Sequence, residues 1–171
     1  MRTSESALRE RGTSGLSREE RMAAYERGVT EFSRLTRDPT FRDFVGLYVA
    51  QGWRRSRAMV AVTSSDPAAA ALSAHWIGRL SARRVDYRLE FGPGQDLVEL
   101  VRFWARHLGV PHGQIRLQRR LGEASGGEDC MPRFGRMTVR THDAVLGVRL
   151  QAWMDEVRGS WSVSHEAELP A

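Results

Sequence analysis

At 171 residues the chain is long enough for one domain with its own core and shorter than two full domains usually need. Its 41 % hydrophobic and 27 % charged residues exclude the collagenous, disulfide-scaffold and wholly disordered classes. Basic residues number 26 against 21 acidic, for a formal charge of +5, and every basic residue is arginine, the usage that GC-rich codons produce. This excess suits a polyanion such as nucleic acid without requiring one.

Cys130 is the only cysteine, so an intramolecular disulfide and a multi-cysteine zinc site are both excluded, and a reducing cytoplasm fits. Met1 to Gly15 is polar, with no apolar stretch of signal type, and no apolar run reaches membrane-spanning length. The expectation is a cytoplasmic protein with no membrane partner.

Residues 1–15 lack periodicity and read as a disordered tail. Ser17 with Glu20 forms a capping box, and Met22, Tyr25, Val29 and Phe32 recur at helical spacing, which predicts a helix from Arg18 to Arg37. Asp38-Pro39 then opens a short apolar helix, Phe41 to Gln51, ended by Gly52. A strand over Arg57 to Ser64 is followed by Asp66-Pro67, a second cap and proline, and by an alanine-rich helix to Leu80. Val85, Tyr87, Leu89 and Phe91 alternate with Asp86, Arg88 and Glu90, so Val85 to Phe91 is a strand, closed by Gly92-Pro93-Gly94. A helix over Asp96 to Leu108 comes next, then strands around Ile115 to Gln118 and Arg136 to Arg140. Between those strands, Leu121 to Phe134 reads as a long glycine-containing loop of the kind that often binds. The last helix spans Asp143 to Arg158, and residues 161–171 read as a disordered tail. Trp76, Trp104 and Trp153 fall on apolar helix faces and are assigned to the core.

Alternation turns Arg88, Arg116, Gln118, Arg120, Arg136, Thr138 and Arg140 to one side of their strands, a set of donors suited to phosphates and purine edges. Helices on the other side of such a sheet would leave this face free for duplex DNA. The competing reading is an ordinary solvated face, since arginine is the only abundant cation here. Arg54, Arg55 and Arg57 form a second basic cluster, for which solvation is again the competing reading.

FVGLYVAQG at Phe44 to Gly52 resembles the motif helix of the LAGLIDADG family, the homing endonucleases and their non-cutting relatives. Gly46 and Gly52 stand where that motif places its glycines. From about Arg37 to Trp161, with DPTFRDFVGLYVAQGWRRSR, the SSDP turn and the LQAWMDEVR helix, the chain is similar to a group of actinobacterial members with a degenerate motif. The resemblance implies an α/β (α+β) fold over residues 38–160, after an N-terminal helix at 16–37, with a curved, mainly antiparallel sheet packed on one side by helices. It also implies a homodimer, with Gly46 and Ala50 letting two motif helices approach, and double-stranded DNA on the sheet.

In cutting members an acidic residue near the end of the motif helix holds a divalent ion that activates water. Gln51 occupies that place, and a neutral amide is a poor ligand for a hard cation. Asp43 is two turns earlier and is the one weak candidate for a substitute acid. His75, His107, His112, His142 and His165 show no ligand spacing, so no metal or cofactor is expected, and Mg2+ enters only with an endonuclease. GPGQD at Gly92 to Asp96 lacks the ending of a P-loop and reads as a turn.

The leading expectation is a catalytically degenerate, DNA-binding homodimer, with transcriptional regulation as a role it could serve. Arg88, Arg116, Gln118, Arg119, Arg120, Arg136 and Arg140, joined by Arg54, Arg55 and Arg57, are its expected DNA contacts. The alternatives are a metal-dependent endonuclease and a protein-interaction module that has lost DNA.

Overall fold

The computed structural model describes residues 15–52, 58–120 and 131–166, the last five of these in backbone only. Arg54, Arg55, Arg57, Cys130 and most of the expected 121–134 loop therefore lie outside the described residues. The chain forms two compact units, one from the residues up to 50 together with 58–60 and 142 onward, the other from 51–52 and 61–141.

The first unit is helical: α1 (Arg18–Leu35), α2 (Pro39–Gln51) and α5 (Ala144–Glu166). Ser17 and Glu20 close the expected capping box on α1, at 3.1 and 2.7 Å. The Asp38 carboxylate accepts from the Thr40 amide at 3.1 Å and starts α2. Asp143 accepts from Leu146 N–H at 3.0 Å and starts α5, which continues to Glu166, past the expected end at Arg158.

Helices α1 and α5 meet through small residues. Ala24, Gly28 and Leu35 are the buried positions of α1, whereas of the periodic apolar set Met22, Tyr25 and Val29 remain exposed and Phe32 alone turns inward, half-buried and edge-on to Phe41. The reason is steric: a Cβ at Gly28 would stand 2.9 Å from the Ala152 Cβ and 3.0 Å from the Arg149 carbonyl oxygen. Only a glycine lets the two backbones approach this closely. Trp153 exploits the contact, its indole N–H donating to the Gly28 carbonyl at 2.9 Å while its ring meets Phe41 edge-on at 5.2 Å. Arg149 pairs with Glu31 beside them.

The second unit is a four-stranded sheet with two helices. Its strands are β1 (Val60–Ser64), β2 (Val85–Phe91), β3 (Ile115–Arg119) and β4 (Arg136–Thr141), in the order β1-β4-β2-β3. The helices α3 (Pro67–Leu80) and α4 (Leu97–Leu108) pack on each other, and α3 also packs on β4 and β2. Asp66 caps α3 through Ala68 N–H at 2.8 Å, and Asp96 caps α4 through Val98 N–H at 2.8 Å. Tyr87, Leu89, Met137, Val139 and Ile115 form the buried side of the sheet; Trp76, Ile77, Leu100 and Trp104 are the buried helix residues.

The chain is thus a mixed α+β protein, and its sheet is mixed where the resemblance implies a mainly antiparallel one. Strand β2 is antiparallel to β4 but parallel to β3. A parallel neighbour needs a crossover, and α4 supplies it between β2 and β3.

Candidate nucleic-acid interface

Alternation along β2, β3 and β4 puts Arg88, Arg116, Arg136 and Arg140 on one face of the sheet. The register sets Arg88 between Arg116 and Thr138, Glu90 between Gln118 and Arg136, and Asp86 beside Arg140. On the β1 side, the Thr63 and Thr138 hydroxyls are 2.8 Å apart and extend the polar surface. Arg116 and Gln118 are exposed, whereas Arg88, Arg136 and Arg140 are half-buried.

Charge on this face is mixed in sign. Asp86 lies 3.8 Å from a guanidinium nitrogen of Arg140 and 4.0 Å from one of Arg116, and Glu90 stands beside Arg136. Four guanidiniums against two carboxylates leave a net charge of +2. Burial is the main influence lowering the Arg140 pKa; repulsion from Arg88 and Arg116 adds to it and Asp86 opposes it. Arginine stays protonated under such pressure, so the cost is borne as electrostatic crowding that an added anion would relieve. The Nε atoms of Arg88 and Arg140 are buried and have no hydrogen-bond partner among the described residues.

Of the expected contacts, Arg88, Arg116, Gln118, Arg136 and Arg140 come together. Arg119 does not: it stands beside Phe91, on the opposite side of the sheet from Arg116 and Gln118. Arg120 follows the end of β3, its N–H donating to the Phe91 carbonyl at 3.0 Å. Asp86 and Glu90 are the members that counting basic residues passes over, although they share the alternation of Arg88.

Next to this sheet the GPGQD segment works as a buckle. Gln95 accepts from Gly92 N–H at 2.8 Å and donates to the Pro132 and Arg133 carbonyls at 2.8 and 2.9 Å. Phe134 stacks on Phe103 at 3.8 Å, and the Trp104 indole N–H donates to the Phe134 carbonyl at 2.6 Å. The end of the expected loop, Met131 to Phe134, is therefore anchored to α4 and the β2–α4 turn.

Gln51 ends α2, and Asp43 is exposed two turns earlier, about 12 Å away along the helix axis at 1.5 Å per residue, too far for both to hold one cation. Gly46 faces open space, and Ala50 is exposed. Beside Gly46 a groove of about 480 Å³ runs between α2 and the end of α5, with Leu47, Val157 and Trp161 in its walls. Among the described residues, no three His, Cys, Asp or Glu side chains are grouped to hold a metal ion, and no helix is long and apolar enough to cross a membrane.

Compared with known proteins, the chain matches no family model, no curated protein and no solved structure.

Proposed function

We propose that the protein binds double-stranded DNA through the arginine-bearing face of its sheet, as a homodimer joined along α2 and without cutting. Placement of Arg88, Arg116, Arg136 and Arg140 on one face, with Thr63, Thr138 and Gln118 between them, carries the reading. Guanidiniums bind phosphate oxygens in pairs of hydrogen bonds, and neighbouring hydroxyl and amide groups add donors to backbone or base edges. Open space at Gly46 and the exposure of Ala50 support close approach of two α2 helices. Gln51 supports the absence of cleavage, because its amide would hold a catalytic divalent cation poorly. The LAGLIDADG resemblance of this helix points the same way, toward a member that has kept the DNA and lost the acid.

The test is fluorescence anisotropy on a random-sequence duplex across a salt series, with strand integrity followed in magnesium. Four phosphate contacts per copy, roughly eight for the dimer, predict a log–log salt slope of roughly −7, at about −0.9 per contact. The double variant R88A/R136A, which removes four arginines from the dimer, should bind more weakly, with a slope shallower by roughly 3.6. Unchanged affinity and slope would remove the sheet face from the reading, and magnesium-dependent nicking would replace it with an endonuclease.

A further inference from the structure

We propose that the outer edge of β3 is a docking site for an extended acidic peptide, which joins the sheet as an additional strand. Strand β3 ends the strand order, and among the described residues it pairs with β2 alone. The direction of its backbone groups follows from one hydrogen bond. Arg120 N–H points at β2, where it meets the Phe91 carbonyl at 3.0 Å. Backbone groups alternate along a strand, so Arg116 and Gln118 also face β2, and Leu117 and Arg119 turn their N–H and C=O groups outward.

The side chains at this edge are open as well. From Arg116 to Arg119 all four residues are exposed, and Leu117, an apolar side chain, has 43 % of its surface in solvent. Natural sheets usually cover or shorten such an edge, because it is a template for strand addition. Charge decides the occupant. Strand β3 carries two arginines, one on each side of the sheet, and no carboxylate of its own. Asp86, the acid paired with Arg116 among the described residues, stands 4.0 Å from an Arg116 side chain that is 60 % exposed, so it neutralises little. A second copy of β3 would crowd four arginines along one edge, which disfavours self-pairing. An acidic strand of alternating Glu and Val instead sets its carboxylates beside Arg116 on one side of the sheet and a valine against Leu117 on the other.

This proposal does not rest on the DNA reading: the two share Arg116, but the edge uses neither Arg88 nor Arg136 nor Arg140, and Leu117→Pro tests it without touching a DNA contact. The experiment titrates the full chain into a labelled eight-residue peptide of alternating Glu and Val, with a Lys and Val peptide as control. The acidic peptide should bind, the basic one should not, and the Leu117 and Arg119 amides should become slower to exchange on binding. Leu117→Pro removes an outward N–H while leaving the β2 ladder intact, the position where an edge strand tolerates proline. It should weaken binding at least tenfold, with DNA affinity and far-UV circular dichroism unchanged. Arg116→Glu should weaken it severalfold and serves if the proline variant fails to fold. Equal binding by the proline variant, equal binding of the basic peptide, amides already protected in the free protein, or a dimer that Leu117→Pro dissolves would each overturn the proposal.

Discussion

Replacing Gly28 by alanine sets two effects of opposite sign against each other. In a solvent-facing helix the change would stabilise by about 1 kcal/mol, because alanine loses less backbone freedom. At this crossing the new methyl falls 2.9 Å from the Ala152 Cβ, 3.0 Å from the Arg149 carbonyl oxygen and 3.1 Å from the Arg149 Cα. Two of those three atoms are backbone and cannot rotate away, so α1 must withdraw from α5, at a cost of about 1–3 kcal/mol for overpacking. Withdrawal also stretches the buried bond from Trp153 to the Gly28 carbonyl, now 2.9 Å, and a buried donor left short of its acceptor costs about 1–3 kcal/mol more. The net expectation is destabilisation by about 2 kcal/mol, a midpoint lowered by about 4–8 °C in a chain of this size. Thermal and urea unfolding followed by tryptophan fluorescence measure it, with Ala152→Gly completing a double-mutant cycle. That second change relieves only the side-chain contact, so the coupling should stay below about 1 kcal/mol. A Gly28→Ala protein as stable as the parent, or full rescue in the double variant, would refute the close backbone crossing.

Other changes separate the remaining contributions. Asp86→Asn removes the carboxylate between Arg140 and Arg116; it should lower stability by about 1–2 kcal/mol, as expected for a partly buried pair, yet tighten DNA binding and steepen its salt slope. Gly135→Ala should cost at least about 3 kcal/mol by urea unfolding, because φ there is +70° and the added Cβ would strike the Glu90 carbonyl oxygen. Burial raises the Tyr87 pKa above its ordinary value of 10.0, so the folded state holds the phenolic proton more tightly than the unfolded chain. That stability is present in full below pH 10 and is lost as pH rises above it; Tyr87→Phe should flatten the alkaline fall in urea midpoint.

Local chemistry was the legible part of the sequence. Ser17 with Glu20, Asp38 and Asp66 all cap where their spacing places them, because a cap depends on residues two or three positions away; Asp96, read as the first residue of its helix, caps it instead. Alternation in β2 and β4 likewise gathers Arg88, Arg136 and Arg140, and Trp76, Trp104 and Trp153 are buried as their helix positions imply. Contacts between distant segments were not legible. The periodic stripe Met22, Tyr25 and Val29 marks α1 as a helix, but which of its faces packs is settled by α5, more than a hundred residues later, and α5 selects Gly28. Strand partners are likewise chosen by the crossover geometry of α4, so the parallel β2–β3 pair does not show in the pattern of β3 itself, whereas the separation of Arg119 from Arg116 follows from alternation and was passed over in the expected contact set. Gln95 belongs to the same group, since its carbonyl partners lie 37 and 38 residues away.

The order of the strands also bears on how the sheet is made. Strand β4 is the last in the chain and lies between β1 and β2, so β1 has no neighbouring strand in the sheet until Arg136–Thr141 arrives. During synthesis only β2, α4 and β3 can assemble as a continuous piece, and the Asp86 carboxylate meets Arg116 before Arg140 exists. Closing a sheet around its final strand is a long-range step, slower than local pairing and exposed meanwhile to wrong partners. A nascent chain stalled before Arg136 would accordingly carry a sheet split down its middle, with β1 waiting for β4, its strand partner among the described residues.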